Sequence, residues 1–208
     1  TMTSWLVAAV GFDFRLEVVA LPLIGIGMFL RLTGRGTRRG ALGEALAGFG
    51  LFFVAIDMLR DAFAGLAAGM ALQELSVADP LQLLLLVGTG FLLTVLTQSS
   101  SAAIAMILTA ASGAMVPLAG AAAMVIGANI GTTSTAALAA IGATPNAKRV
   151  AAAHVLFNVV AGVFALSVLP ILLWLVETTG QRLGIAAAPA VTLALFHTVS
   201  KLLGVLVM

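Results

Sequence analysis

Residues 81–112 contain no charged side chain, and their apolar run is broken in the middle by Gln98-Ser99-Ser100-Ser101. Water could not solvate such a segment, and the rest of the chain offers little to cover it. A soluble domain carries roughly 25% charged residues, whereas this 208-residue chain has 9%, against 62% hydrophobic and a mean hydropathy of +1.19. Lipid removes the difficulty, because apolar side chains can then face outward. The expected fold is all-α, a polytopic transmembrane helical bundle. There is no cysteine from which to read a redox compartment. No basic region precedes the first apolar stretch, so no cleavable signal peptide is expected, and the Thr1-Met2 start reads as a cut from a longer chain. The net charge of +2 rests on few groups. They form no basic stripe beside aromatics, so no nucleic-acid partner is expected.

A helix needs about 20 apolar residues to cross the hydrocarbon core. Spans are predicted at 17–32, 41–68, 118–141, 150–176 and 185–208, with 81–112 as a longer interrupted stretch. The loops between them are read at 33–40, 73–80, 113–117, 142–149 and 177–184. Basic residues orient the bundle. Arg31, Arg35, Arg38, Arg39, Lys148 and Arg149 lie in or beside two loops, which are therefore predicted to be cytoplasmic. The chain must cross an even number of times between them, so 81–112 has to begin and end on one side. Its arms, about 25 and 16 Å long at 1.5 Å per residue, favour a re-entrant helical hairpin over two full crossings.

Polar groups inside a membrane must find partners there, and irregular backbone at that depth lines a cavity or is buried in protein. Two polar interruptions occur. One is Thr97-Gln98-Ser99-Ser100-Ser101. The other is the cluster of Asn129, Thr132, Thr133, Ser134 and Thr135, where Gly127 and Gly131 permit a broken helix. Hydroxyl and amide donors suit a small oxyanion, as does the positive end of a restarting helix. Hydroxyl, amide and carbonyl oxygens also coordinate sodium. No Arg or Lys is expected beside either motif, so neutral donors and co-bound cations would hold the anion. The competing reading is interhelical glue, the common use of Ser and Thr in membrane helices.

The segments Leu96-Thr97-Gln98-Ser99-Ser100-Ser101-Ala102 and Gly127-Ala128-Asn129-Ile130-Gly131-Thr132-Thr133, in that order, resemble the signature of the sodium-dependent phosphate cotransporter family. Ala153-His154-Val155-Leu156-Phe157-Asn158 is similar to the family as well. The resemblance implies a sodium-coupled phosphate symporter in the cell (inner) membrane, with no cofactor beyond sodium as coupling ion. It implies that Gln98, Ser99, Ser100, Ser101, Asn129, Thr132 and Thr133 bind substrate at mid-membrane, and that Thr97, Asn129, Ser134 and Thr135 supply oxygens to sodium. Family members carry two QSSS units as inverted repeats, and this sequence has one. Residues 1–208 are thus expected to be a single transmembrane transport domain, the second repeat half of a longer transporter. Its partner would be the missing first half or, against the charge bias, a second copy in a homodimer.

Other polar residues have bland alternatives. His154 and Asn158, and His197 and Lys201, sit one turn apart on helices, where helix–helix hydrogen bonds and snorkelling of Lys201 to the interface are the expected roles. Asp57, Arg60 and Asp61 read as a self-neutralising interfacial cluster, and Gly25, Gly27, Gly48 and Gly50 as close-packing positions. An enzyme is not expected: a serine hydrolase using Ser99–Ser101 with His154 lacks any nucleophile-turn context. A non-transporting membrane subunit or a passive anion pore remains the alternative.

Overall fold

The computed structural model describes residues 2–10, 16–67, 75–182, 184 and 188–207. Among them there is no strand, as the all-α expectation requires. The helices are α1 (Met2–Val10), α2 (Leu16–Thr33), α3 (Arg38–Ala67), α4 (Pro80–Thr97), α5 (Ser100–Ser112), α6 (Leu118–Gly131), α7 (Thr133–Ala139), α8 (Pro145–Ser167), α9 (Leu169–Arg182) and α10 (Pro189–Val207). Among the described residues, four stretches are long and apolar enough to cross a membrane: Pro80–Thr97, Leu118–Ala139, Pro145–Ser167 and Pro189–Leu206. Their outward residues, such as Leu84 and Leu96 on α4 and Leu156 and Val163 on α8, are exposed hydrophobics suited to lipid.

α4 begins where its sequence dictates. Asp79 caps it, its carboxylate accepting from Leu81 N at 2.8 Å, and Pro80 fills the first turn, where no N–H is needed. Asp79→Ala is expected to lower stability by about 1 kcal/mol, read as a lower unfolding midpoint of the purified protein in detergent with uptake of substrate unaffected.

α4 then packs along α6 through glycines. Leu86 lies against Gly120. A Cβ on Gly90 would collide with the Met124 carbonyl, and one on Gly127 with the Val87 carbonyl. Gly131 faces Phe91 and Thr94, and Thr94 Oγ1 donates to Ala128 O at 3.1 Å. These pairings advance together along both helices, so α4 and α6 run in the same direction. α5 reverses the chain between them. Its 13 residues span about 20 Å, less than the roughly 30 Å of a hydrocarbon core. It survives by enclosure: α1, α3, α4, α6 and α10 all pack on it, and Ile104, Ile107 and Leu108 are buried.

Several boundaries differ from expectation. α1 was not anticipated, since 9 residues are too few to register as a span. It is docked by side chains: Ser4 Oγ lies 2.9 Å from His197 Nδ1, and Trp5 Nε1 donates to Thr198 Oγ1 at 3.0 Å. The span expected at 150–176 is divided at Val168 into α8 and α9, and the loop expected from Glu177 is the last part of α9. Pro170 accounts for the division, having no N–H for the helical ladder and a ring that crowds the carbonyl four residues back. The interruption expected after Gly127 is a single residue. Thr132, between α6 and α7, keeps helical backbone at φ −60° and ψ −21°, and its N–H reaches Asn129 O at 3.3 Å in a tightened turn. The glycine expectation holds in part. Gly27 and Gly50 meet the partner helix in the antiparallel α2–α3 hairpin, but Gly25 and Gly48 have nothing within 4 Å of an added Cβ. Gly43, which the sequence did not single out, completes that seam against Gly27 O and Arg31 N. The side chains of Asp57, Arg60 and Asp61 lie outside the described residues.

Candidate functional site

The QSSS segment forms the turn between α4 and α5. Gln98 closes α4 in the left-handed region at φ 52°, an unfavourable place for a side chain with Cβ, and its Nε2 donates to Val95 O at 2.6 Å. Ser99 is extended and caps α5, its Oγ accepting from Ala102 N at 3.2 Å. Ser100 and Ser101 occupy the first turn of α5, where backbone N–H groups have no intrahelical acceptor and the helix dipole is positive. Thr97 Oγ1 donates to Leu93 O at 2.7 Å and lies 3.0 Å from Ser99 O, bracing the turn from the α4 side.

The second cluster is held by hydroxyls folded back on the helix. Thr132 Oγ1 donates to Asn129 O at 2.6 Å, Thr133 Oγ1 to Ile130 O at 2.7 Å and Thr135 Oγ1 to Thr132 O at 2.8 Å. Each hydroxyl has one hydrogen, so these threonines present only lone pairs outward. Ser134 Oγ is different: it is buried and has no partner among the described residues. A buried hydroxyl without a partner costs roughly 1–3 kcal/mol.

The glycine seam puts the two clusters level. Thr94 is opposite Ala128 and Gly131, and Thr97, one turn further on, is about 5 Å beyond that point. The same advance on α6 and α7 reaches 131–134. Gln98–Ser101 and Asn129–Thr135 are therefore neighbours in height across one helix contact, separated in sequence by the rest of α5, the 113–117 turn and most of α6.

A cavity of about 30 Å³ opens on another face of α6, lined by Asn129 with Asn158 of α8 and Ser200 and Lys201 of α10. Of the residues expected to bind substrate or sodium, Asn129 lines it and the others do not. Lys201 overturns the expectation that no cation stands beside the motifs. It lines the same cavity as Asn129, which sits midway along the α6–α7 rod, about 16 Å from either end at 1.5 Å per residue. The missed signal was its charge, since an ionisable residue inside a membrane span is a functional candidate by default. His154 and Asn158 do share a helix face, with Asn158 Nδ2 3.0 Å from His154 O and 3.4 Å from His154 Nε2, a bond within one helix rather than between two. His197 is buried, and its Nε2 has no partner among the described residues. No group of three His, Cys, Asp or Glu side chains that could hold a metal ion occurs among them.

The sequence model of the Na+/Pi-cotransporter family matches residues 1–61 and 64–197. The chain belongs to that family. The family relationship therefore covers almost the whole chain, α1 and the first half of α10 included, and not only the stretch that carries the two motifs. Among curated relatives, the chain is 29% identical to the protein of Escherichia coli (strain K12) named "Putative inorganic phosphate export protein YjbB", over 94% of this chain and 35% of the relative. It is 32% identical to the protein named "Uncharacterized protein YqeW" of Bacillus subtilis (strain 168), over 93% of this chain and 64% of the relative. It is 28% identical to the Salmonella typhimurium protein that shares the YjbB name, over 74% of this chain and 28% of the relative. The chain thus spans about a third of the YjbB relatives and less than two thirds of YqeW. No solved structure matches it.

Proposed function

We propose that this chain is one inverted-repeat half of a sodium-coupled phosphate transporter. The observation that carries the reading is the common height of the QSSS turn and the Asn129–Thr135 cluster across the glycine seam. Phosphate is bound at the α5 N-terminus, where Gln98, Ser99, Ser100 and Ser101 surround the positive end of a helix. In this reading α4 and α5 form a re-entrant hairpin whose tip is the binding turn. Sodium takes the oxygen lone pairs left by Thr97, Thr132, Thr133 and Thr135, together with Asn129 and the unpartnered Ser134 Oγ. Thr132 and Thr133 suit the cation better than the anion, because their hydrogens are already donated to carbonyls. Family membership supports phosphate as the transported species, and the name of the YjbB relatives supports phosphate with export as the direction. The location is the inner membrane. The second half of the transporter is a separate repeat or a second copy of this chain.

Sodium-gradient-driven uptake of labelled phosphate into liposomes containing the purified chain tests this. Uptake that requires sodium and ceases with Gln98→Ala is the expected outcome, and means that two copies build the site. Flux that ignores sodium would make the protein a passive anion pore. No flux, either alone or with a second repeat restored, would make it a non-transporting membrane subunit.

A further inference from the structure

The turn between α2 and α3 carries more positive charge than its own carboxylate balances. Residues 31–44 hold Arg31, Arg35, Arg38 and Arg39 against Glu44 alone, an excess of three positive charges. Glu44 stands 3.8 Å from Arg31, both side chains more than half exposed, and theirs is the only ion pair among the described residues. Exposed pairs of this kind hold each other weakly, which leaves Arg31 able to turn to another anion. Beside the pair opens a cavity of about 750 Å³, lined by Arg31 and Arg35 together with Met28, Leu32, Thr37 and Glu44. Arg38 and Arg39 are not in its wall. Thr37 donates its hydrogen to Gly34 O at 2.7 Å, so the two arginines are the side-chain donors of the cavity. Their guest is therefore an anion, and the guanidinium fork matches phosphate oxygens in pairs. The volume lies in the range that takes a whole small molecule rather than one phosphate.

An apolar track leads into this cavity. Leu21, Gly25, Met28 and Leu32 follow one another at helical spacing on the cavity side of α2, and the three large ones are exposed. On α3, Ala41 and Glu44 of the wall continue at the same spacing to Gly48 and the exposed Leu51. The hairpin seam sets Gly27 against Ala47, and Gly50 against Ala20 and Ile24, which brings Gly25 level with Gly48 and Leu21 level with Leu51. Neither Gly25 nor Gly48 has an atom within 4 Å of an added Cβ, so together they leave a dent in an apolar face. From Leu21 to Arg31 the track rises about 15 Å, which is one leaflet of a roughly 30 Å hydrocarbon core.

We infer that this cavity binds the headgroup of an anionic phospholipid, with the phosphate on Arg31 and Arg35 and an acyl chain along the dent at Gly25 and Gly48. The charge bias that predicts a cytoplasmic turn also brings it to the kind of surface where anionic lipids attract basic segments. A free phosphate would use the arginines and ignore the track. The inference is independent of the proposed transport, because α2, α3 and the turn between them supply every wall of the cavity.

Binding of phosphatidylglycerol to the purified chain in neutral detergent, counted by native mass spectrometry against phosphatidylcholine, tests this. In about 0.15 M ammonium acetate, charges more than about 8 Å from the lipid phosphate are largely screened. Phosphatidylglycerol should bind in clear preference to phosphatidylcholine. Arg31→Gln combined with Arg35→Gln should weaken its binding by about 30-fold. Arg38→Gln combined with Arg39→Gln removes the same charge outside the cavity wall, and should weaken it by no more than about 3-fold. Glu44→Gln should tighten it by about 5-fold, a gain that no misfolded variant would show. Gly25→Leu fills the dent and should weaken phosphatidylglycerol binding while the lipid-free unfolding midpoint is kept. Equal losses in the two arginine pairs would mean diffuse surface charge and overturn the site. Inorganic phosphate that raises the unfolding midpoint as much as phosphatidylglycerol does, with Gly25→Leu binding lipid as the wild type does, would give the cavity to a free anion and overturn the lipid.

Discussion

Replacing Asn129 with alanine is expected to abolish sodium-driven phosphate uptake while leaving the chain folded. The residue lies near the middle of a 22-residue apolar stretch and belongs both to the GANIGTT segment and to the Lys201 cavity. No other residue of the two polar clusters does both. Its backbone carbonyl, which accepts from Thr132 Oγ1, survives the substitution, so the tightened turn at Thr132 is retained. The side-chain amide is lost, and with it one ligand to an ion. Hydrogen bonds to charged groups contribute about 1.5–3 kcal/mol, which corresponds to a loss of roughly 10- to 100-fold in affinity for each ion that the amide holds. Two ions sharing the residue would multiply these factors. Labelled-phosphate uptake, normalised to monodisperse protein, measures it. Wild-type uptake in Asn129→Ala would remove both the substrate assignment and the sodium assignment at this position.

Gly127→Leu is expected to have the largest effect on folding. The added Cβ would fall on the Val87 carbonyl, and a backbone obstacle cannot rotate aside as a side chain can. α4 would have to move away from α6, which breaks the bond from Thr94 Oγ1 to Ala128 O. It would also open space beneath Leu86, one of the buried residues of the core. Overpacking of a closed core costs about 1–3 kcal/mol, occasionally more, and the upper end applies here because both helices are rigid at the contact. The expected result is loss of the monodisperse peak in size-exclusion chromatography or a large drop in unfolding midpoint. Gly48→Ala is the matched control. An added Cβ at Gly48 meets nothing within 4 Å, and alanine is the better helix former by roughly 1 kcal/mol, so that variant should be neutral or slightly stabilised. Equal behaviour of the two variants would refute the backbone-on-backbone account of the seam.

The spans at 118–141, 150–176 and 185–208 and the first arm of 81–112 were legible because hydropathy and length speak for lipid directly, whereas the spans expected at 17–32 and 41–68 are helices, α2 and α3, that are not among the four stretches long and apolar enough to cross. The end of one element and the start of another were legible where local chemistry marks them, as Asp79-Pro80 does for α4. α9 was missed because apolar character runs through Val168 without a break, and only Pro170 signals the division. Seams were half legible. Gly27 and Gly50 pack closely while Gly25 and Gly48, equally glycine, face open space, and the difference depends on which side of a helix meets a neighbour. The motif residues stood out as polar interruptions, yet their relation to Lys201 did not. Asn129 and Lys201 are brought together by the packing of α6, α8 and α10, and nothing in the intervening sequence encodes that proximity in a readable pattern.

The glycine seam between α4 and α6 has a mechanical consequence. Bulky side chains at a helix interface can change rotamer and let one helix slide on the other. Backbone pressed on backbone offers no such play, and Thr94 pins the contact at its upper end. The QSSS turn and the threonine cluster thus belong to one rigid plate. Whatever motion exposes them first to one side of the membrane and then to the other must carry both together, with the sliding left to contacts elsewhere in the bundle.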